Sequence, residues 1–314
     1  KRKPQDGRVK TRNPAGIEVE LRLSTLPTTF GEKLVMRIFD PQVLLKDFDQ
    51  LGLSNADQQR WHAMTRRTDG IILVTGPTGS GKTSTLYTTL RQLATREVNL
   101  CTVEDPIEMV EPAFNQMQVQ HNIDLTFASG IRALLRQDPD IIMIGEIRDQ
   151  ETAEMAIQAA LTGHLVFSTL HTNDAPSAIS RLQELGVAHY LIKATLIGVM
   201  AQRLVRVLCS HCKRPVGQED AGGFDAVGCA QCRDSGYRGR AGLYEIMLMD
   251  PALQALVTPG ADVQALRREA LAQGMSSLRM AGVEKVKAGL TTMTEVLRVT
   301  PGDSETNSSG LIEY

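Results

Sequence analysis

Aromatic residues are scarce: one Trp, five Tyr and seven Phe make up 4% of 314 residues. Proteins that read single-stranded bases use aromatic stacking platforms, so that role is disfavoured. An excess of charge of either sign is also missing. Lys and Arg total 34 against 36 Asp and Glu, a net charge of -2. This argues against coating nucleic acid through bulk positive potential. No run approaches the roughly 18 apolar residues of a membrane span. The longest patches, such as Leu196 to Ala201, suit buried helices or strands. No apolar segment follows the basic start Lys1-Arg2-Lys3-Pro4, so no signal peptide is read there. The first residue is not Met, and the expectation is a fragment of a longer protein. Cysteine is limited to five residues, and four of them are clustered.

What remains is an ordinary globular composition, 42% hydrophobic and 22% charged. At about 150 residues per domain it points to two domains. Residues 1–45 alternate at period two, with Ile17, Val19, Leu21 and Leu23 and then Leu34 to Ile38. They read as the end of a small β-rich domain. Residues 46–69 read as a linker and a helix at about Asn55 to Met64. From 70 to 300 short apolar runs alternate with helical stretches. The runs are Ile71–Val74, Leu100–Val103, Ile141–Ile144 and Leu165–Phe167; the helices are Lys82–Ala94, Phe127–Arg136 and Gln150–Leu161. This is the pattern of an α/β fold with a buried, largely parallel sheet. After residue 174 the expectation is mostly helix, interrupted by a Cys- and Gly-rich segment at 205–242. Thr292 and Glu295 have capping-box spacing. Residues 301–314 read as a flexible tail.

Gly76-Pro77-Thr78-Gly79-Ser80-Gly81-Lys82-Thr83 matches G-x-x-x-x-G-K-[ST], between an apolar strand and a helix. Glycines let the backbone curl until several N–H groups face one anion, and the helix adds its positive end. The loop and Ser84 after it are therefore candidates for binding ATP. Lys82 would reach the β- and γ-phosphates, and the Thr83 hydroxyl would bind Mg²⁺.

Such a site also needs acids and a group that orients water. The strand Leu100–Val103 ends in Glu104-Asp105. Acids at a strand's carboxyl end sit where ligands bind in open α/β sheets. Glu104 is a catalytic candidate and Asp105 a magnesium candidate; a solvated acidic turn is the alternative. The strand Ile141–Ile144 ends in Gly145-Glu146-Ile147-Arg148-Asp149. This reads as a Walker B element, with Glu146 polarising the attacking water. Asp149 reads as the cap of the next helix. His164 and His171 flank the strand Leu165–Ser168. His171, at its carboxyl end, could sense the γ-phosphate, unless it is an ordinary hydrogen-bonded histidine.

These four ordered blocks resemble the secretion ATPases of type II secretion and type IV pilus assembly. That family carries a Walker A loop, an acidic Asp box, a Walker B with Gly-Glu, and a His box. They stand here as Gly76–Thr83, Thr102–Glu108, Ile141–Glu146 and His164–His171. The resemblance runs from about residue 1 to 300. It implies a RecA-like P-loop NTPase core of α/β class, with a small α+β, β-rich domain before it and a helical C-terminal part. Arginines could answer the dispersed charge of phosphoryl transfer. Arg136 and Arg148 are candidates beside the site, and Arg22 and Arg37 in the first domain; plain surface arginines are the alternative. In the resembled family a first-domain pair of this kind reaches nucleotide at a domain or subunit boundary. The resemblance thus implies a homo-hexameric ring.

Cys209, Cys212, Cys229 and Cys232 form C-x₂-C-x₁₆-C-x₂-C, the spacing of a closed four-thiolate zinc site. Disulfides are the alternative. Cys101 is left over in a strand. The resembled assembly ATPases carry such an insertion and their retraction relatives generally do not, which favours assembly. The stretch Lys213–Gly228 is shorter than that family's pattern. Basic residues around it, Lys213, Arg214, Arg233, Arg238 and Arg240, could meet an acidic partner or acidic lipid.

The resemblance implies a bacterial motor, cytoplasmic and peripheral at the inner membrane. It would drive pilin or pseudopilin assembly with platform and recruiting proteins of that membrane as partners. A DNA translocase ring and a non-motor ATP switch are the other readings. Near-neutral charge and few aromatics weigh against nucleic acid as partner.

Overall fold

In the computed structural model the described residues are 3–12, 16, 18–39, 46–216 and 223–302. The expected tail beyond residue 302, and residues 217–222 between the cysteine pairs, lie outside them. The chain divides into two units, Lys1–Asp47 and Phe48–Tyr314.

The first unit is an antiparallel sheet of β1 (Gln5–Arg12), β2 (Glu18–Thr28) and β3 (Gly31–Phe39). Period-two alternation and the turn between Thr28 and Gly31 account for its hairpin. The register sets Arg8 opposite Arg22 and Arg22 opposite Arg37. The two first-domain arginines singled out above are therefore cross-strand neighbours, with Arg8 as a third. Like charges directly opposite each other are unfavourable. Glu20 moderates this, 3.3 Å from Arg22 Nε and 3.8 Å from Arg8 Nε.

The second unit starts with α1 (Phe48–Leu51) and α2 (Asn55–Thr65). Ser54 and Asp57 close a reciprocal capping box at the start of α2. Trp61, fully buried, donates to Thr89 Oγ1 at 2.9 Å. There follow β4 (Gly70–Thr75), α3 (Lys82–Leu93), β5 (Leu100–Glu104), β6 (Asn115–Gln118), α4 (Phe127–Leu134), β7 (Ile141–Ile144), α5 (Gln150–Leu161) and β8 (Leu165–Leu170). Next come α6 (Ser177–Glu184), α7 (His189–Thr195), β9 (Leu196–Leu208), the short pair β10 (Arg214–Pro215) and β11 (Phe224–Asp225), and β12 (Tyr237–Leu248). Four helices end the unit: α8 (Pro251–Leu256), α9 (Val263–Ala272), α10 (Leu278–Lys287) and α11 (Met293–Val299).

One seven-stranded sheet in the order β12-β9-β4-β8-β7-β5-β6 organises this unit. Its strands pair in parallel, except β12, which runs antiparallel to β9. Every residue of β4, β5, β7 and β8 is buried. Continuous apolar runs suit strands covered on both faces. Because β4, β8, β7 and β5 are parallel neighbours, their carboxyl ends lie along one sheet edge.

Two expectations need correction. The chain after residue 174 is not mostly helical: β9 and β12 are strands of 13 and 12 residues. Leu196–Ala201 is apolar throughout, and a short apolar run has no periodicity that separates strand from helix. The capping box at Thr292 is only half formed. Thr292 accepts the Glu295 N–H, at 3.3 Å. The Glu295 carboxylate instead takes Arg206 Nη2 at 2.6 Å and Arg298 Nη2 at 2.9 Å. A tertiary ion pair has outcompeted the local cap.

That arrangement separates two substitutions. Glu295→Ala should cost about 2 kcal/mol, the scale of charge-assisted hydrogen bonds lost while both arginines rehydrate. Thr292→Ala should cost about 1 kcal/mol, as the loss of one cap. Urea denaturation of both variants measures the difference; equal losses would return Glu295 to a capping role.

Candidate functional site

The loop after β4 has the local geometry its glycines require. Gly76 has φ +150° and Gly81 φ +90°. A Cβ on Gly76 would lie 2.5 Å from the Gln202 carbonyl oxygen and 2.6 Å from Ser80 Oγ. A Cβ on Gly81 would lie 2.8 Å from Gln202 Nε2. Backbone conformation and space thus both select glycine at these two positions. Gly81 is the N-cap of α3 and supplies no side-chain cap. The first-turn N–H groups of Lys82, Thr83 and Ser84 therefore lack a helical or capping acceptor. Ser80 Oγ is buried with no hydrogen-bond partner. Pro77, Thr78 and Gly79 form the exposed lip of the loop.

Lys82 folds back over this cradle, donating to the carbonyls of Gly76 at 2.7 Å and Pro77 at 3.1 Å. Burial pulls its pKa down to about 8; the Glu146 carboxylate opposes this and the Arg203 guanidinium adds to it. Uncapped N–H groups, an orphaned hydroxyl and a half-buried ammonium converge on one concavity. This set of donors, its ammonium resting on the loop's own carbonyls, fits a polyphosphate.

Glu146 follows β7 along the same edge. Ile147 N–H donates to Thr169 O at 3.0 Å, which ties the turn to β8. The Glu146 side chain is 12% exposed, with Arg148 Nε at 2.5 Å and His171 Nε2 at 3.4 Å. Three of the expected residues, Glu146, Arg148 and His171, are thereby in contact. His164 sits at the opposite end of β8, where Nδ1 meets the Ala159 carbonyl at 2.9 Å, at the end of α5. Asp149 caps α5, accepting the Thr152 N–H at 2.8 Å.

The remaining candidates have other partners. Glu104 is 3% exposed and accepts from Tyr87 Oη at 2.6 Å, Thr102 Oγ1 at 2.7 Å and Gln116 Nε2 at 3.1 Å. Burial and the neighbouring Glu104 carboxylate push the Tyr87 phenol upward, so it stays a donor. Asp105 is more open, 3.4 Å from His121 Nε2. Arg136 is exposed in the turn after α4 and turns back on that helix, Nη1 donating to the Arg132 carbonyl at 2.9 Å.

The four clustered cysteines meet where β9 ends and β12 begins. Their sulfurs all lie within 4.8 Å of one another. Cys209–Cys229 are 3.9 Å apart, and Cys212–Cys232 and Cys229–Cys232 3.8 Å. Four sulfurs placed tetrahedrally at about 2.3 Å from zinc would be about 3.8 Å apart. A disulfide would need about 2.05 Å. The N–H groups of Cys229 and Gly236 point at Cys232 Sγ, at 3.2 and 3.3 Å, as suits a thiolate.

The family model described as Type II/IV secretion system protein matches residues 1–298. This chain belongs to that family. It is 60% identical to the type IV pilus assembly ATPase TfpB of Acinetobacter baylyi, over 96% of this chain and 54% of TfpB. It is 47% identical to the type II secretion system ATPase E of Vibrio cholerae, over 96% of this chain and 62% of that protein. The chain therefore spans roughly half to three-fifths of these relatives. Among solved structures it is similar to the pilus retraction motor PilT with bound ADP. The TM-score is 0.70 at 28% identity, covering 96% of this chain and 79% of that one. The ATPase DotB of Legionella pneumophila shares the fold, with a TM-score of 0.72 at 23% identity, over 95% of this chain and 77% of DotB. A parallel-rich sheet flanked by helices is thus the fold of secretion ATPases.

The secretion-family sequence motifs do not reveal what holds these blocks in place. Gln202 accepts from Thr85 Oγ1 at 2.8 Å, anchoring α3. Thr75 and Thr172 join hydroxyls at 2.7 Å, linking the phosphate loop's strand to the turn after His171. Glu245 is 1% exposed and accepts the N–H groups of Ala175 at 2.8 Å and Leu278 at 3.2 Å. The signal for Gln202 and Arg203 was present: two polar residues interrupting an apolar strand.

Burial pushes the Glu245 carboxyl from 4.5 up to about 7, with the Ala175 N–H opposing, Asp174 adding, and Arg267 and the Leu278 N–H opposing. The folded chain thus keeps this proton over a range where the unfolded chain releases it. Its stabilising contribution is complete below pH 4.5 and is lost as pH rises through about 7. Relative to Glu245→Gln, the unmodified chain should lose up to about 3 kcal/mol between pH 4.5 and 8. Denaturation of both proteins across that range measures it; a pH-independent difference would contradict the buried carboxyl's titration.

Proposed function

We propose that this chain is the ATP-hydrolysing part of a hexameric motor for pilin or pseudopilin assembly, in type II secretion or type IV pilus biogenesis. The observation that carries this reading is the contact of Glu146 with His171 and Arg148, on the sheet edge that also holds the phosphate loop. TfpB and ATPase E, by their names, serve these two machines. Their similarity favours this reading over a DNA translocase.

In this reading Gly76, Pro77, Thr78, Gly79, Ser80, Gly81 and Ser84 form the wall of the phosphate cradle. Backbone N–H groups hold the phosphates, and Lys82 leaves its carbonyl partners to neutralise the β- and γ-oxygens. Thr83 and Asp105 would hold Mg²⁺, which supplies charge neutralisation between those oxygens when bound. Glu146 orients the attacking water and accepts its proton. His171 and Arg148 fix the carboxylate and stand ready to answer γ-phosphate charge. Glu104 keeps the Asp-box strand end rigid through Tyr87, Thr102 and Gln116. Arg22 and Arg37 would answer nucleotide charge at a domain or subunit boundary, and Arg136 would add to that charge. Cys209, Cys212, Cys229 and Cys232 would bind a structural zinc ion at the end of the β9–β12 ribbon. No helix among the described residues is long and apolar enough to cross a membrane. Attachment at the inner membrane through platform and recruiting proteins, or through acidic lipid meeting the basic residues around the zinc site, belongs to the same reading.

Two experiments test this. Glu146→Gln should bind ATP but turn it over at least about 100-fold more slowly, whereas Lys82→Ala should lose nucleotide binding. Normal steady-state hydrolysis by either variant refutes its role. Metal analysis should find about one zinc per chain, lost on chelation together with the structure around Cys209, Cys212, Cys229 and Cys232. A metal-free protein with an intact ribbon would exclude the zinc site.

A further inference from the structure

His171 sits on a turn, residues 171–176, that has no regular secondary structure. Side chains from four different elements hold it, three by its backbone groups and one by the Asp174 carboxylate. Thr75, at the end of β4, accepts the Thr172 N–H at 2.8 Å. Arg203, on β9, donates Nη2 to the Asn173 carbonyl at 2.8 Å. Glu245, on β12, accepts the Ala175 N–H at 2.8 Å. Arg267, on α9, pairs with the Asp174 carboxylate at 2.8 Å. Asp174 in turn accepts the Ser177 N–H at 2.9 Å, at the start of α6.

Arg203 and Glu245 differ from the other anchors because each also grips one of the last two helices, α10 or α11. Arg203 Nε donates to the Val299 carbonyl at the end of α11, at 3.2 Å, and Nη1 to the Gln202 carbonyl at 3.0 Å. The second oxygen of Glu245 accepts the N–H of Leu278, the first residue of α10. Both side chains are nearly fully buried, at 6% and 1% exposure. The β9–β12 register pairs Arg203 with Leu243, two residues before Glu245, so the two side chains share one face of the sheet. A planar guanidinium with three separate carbonyl acceptors holds three chain segments at fixed spacing. Burying such groups is costly, and hydrophobic packing alone would not specify these distances.

We propose that Arg203 and Glu245 are positioning residues that clamp the turn 171–176 to α10 and α11, and so set where His171 stands against Glu146. The inference rests on the assignment of Glu146 and His171 to ATP hydrolysis. It makes the C-terminal helices part of the hydrolytic machinery without any of their residues reaching nucleotide. A shift of α10 or α11 is carried to His171 through two buried side chains.

The test, run at pH 8 where the Glu245 carboxyl is ionised, uses Arg203→Lys, which cannot span three carbonyls, and Glu245→Gln, which turns an N–H toward an N–H. Two readouts are taken: ATP turnover beside ADP affinity, and native-state amide exchange. ADP affinity should stay within about threefold while kcat falls about ten- to 100-fold, the scale of a small misplacement of a reacting group. The amides of Thr172 and Ala175 should exchange at least about tenfold faster, while those of Ile142 and Ile144 in β7 keep their protection. Full turnover with an unchanged turn in both variants overturns the proposal. So does equal loss of protection in β7, which would make the pair merely structural. If Arg203→Lys does not fold, Glu245→Gln decides by the same readings. If the unmodified chain hydrolyses no ATP, the assignment of Glu146 fails, and the exchange readings alone still decide whether the clamp exists.

Discussion

Much of this structure depends on one backbone constraint: β4 must end in a left-handed curl, tight enough that several N–H groups face the same point. Gly76 and Gly81 permit it, and no other residue type would fit against the Gln202 backbone and side chain there. The curl leaves α3 without a side-chain cap, Ser80 Oγ without a partner and Lys82 bonded to its own loop's carbonyls. The first two are local deficits that an anion with several oxygens removes at once, and the third is an ammonium able to turn toward it. A loop kept for stability alone would satisfy these groups internally.

The parallel sheet then brings chemistry to that point. Placing β8 between β4 and β7 puts the turn after His171 beside the phosphate loop and Glu146 on its other side. Thr75 and Thr172 weld the first junction; Ile147 and Thr169 weld the second. The long β9–β12 ribbon carries the cysteine cluster at one end and the buried Arg203 and Glu245 along its body. The cysteine cluster and the anchors of the proposed nucleotide site thereby share one structural support.

How much of this could be read in the sequence follows from distance along the chain. The phosphate loop is legible because its determinants fall within eight consecutive residues. Glu146 and the cap Asp149 are legible for the same reason, each lying a few residues from its strand or helix. The cysteine spacing is equally local, since each knuckle is one turn. His171 is separable from His164 in the sequence because it follows its strand's carboxyl end, whereas its contact with Glu146 depends on β7 pairing with β8. Glu295 looked like a cap partner because local spacing suggested it; Arg206, 89 residues earlier, outcompetes the local partner. Strand β6, Asn-Gln-Met-Gln, is too polar to announce itself and pairs only as an edge. Arg203 and Glu245 acquire meaning only once β9 pairs with β12, and nothing local encodes that pairing.

The central claim is that the curl after β4 holds the phosphates of a nucleotide. The most direct measurement is calorimetric titration of this chain with ADP and Mg²⁺. The account expects saturable binding at one site per chain, accompanied by a rise in melting temperature. Heat changes indistinguishable from dilution, with no shift in melting temperature at saturating ADP, would contradict it.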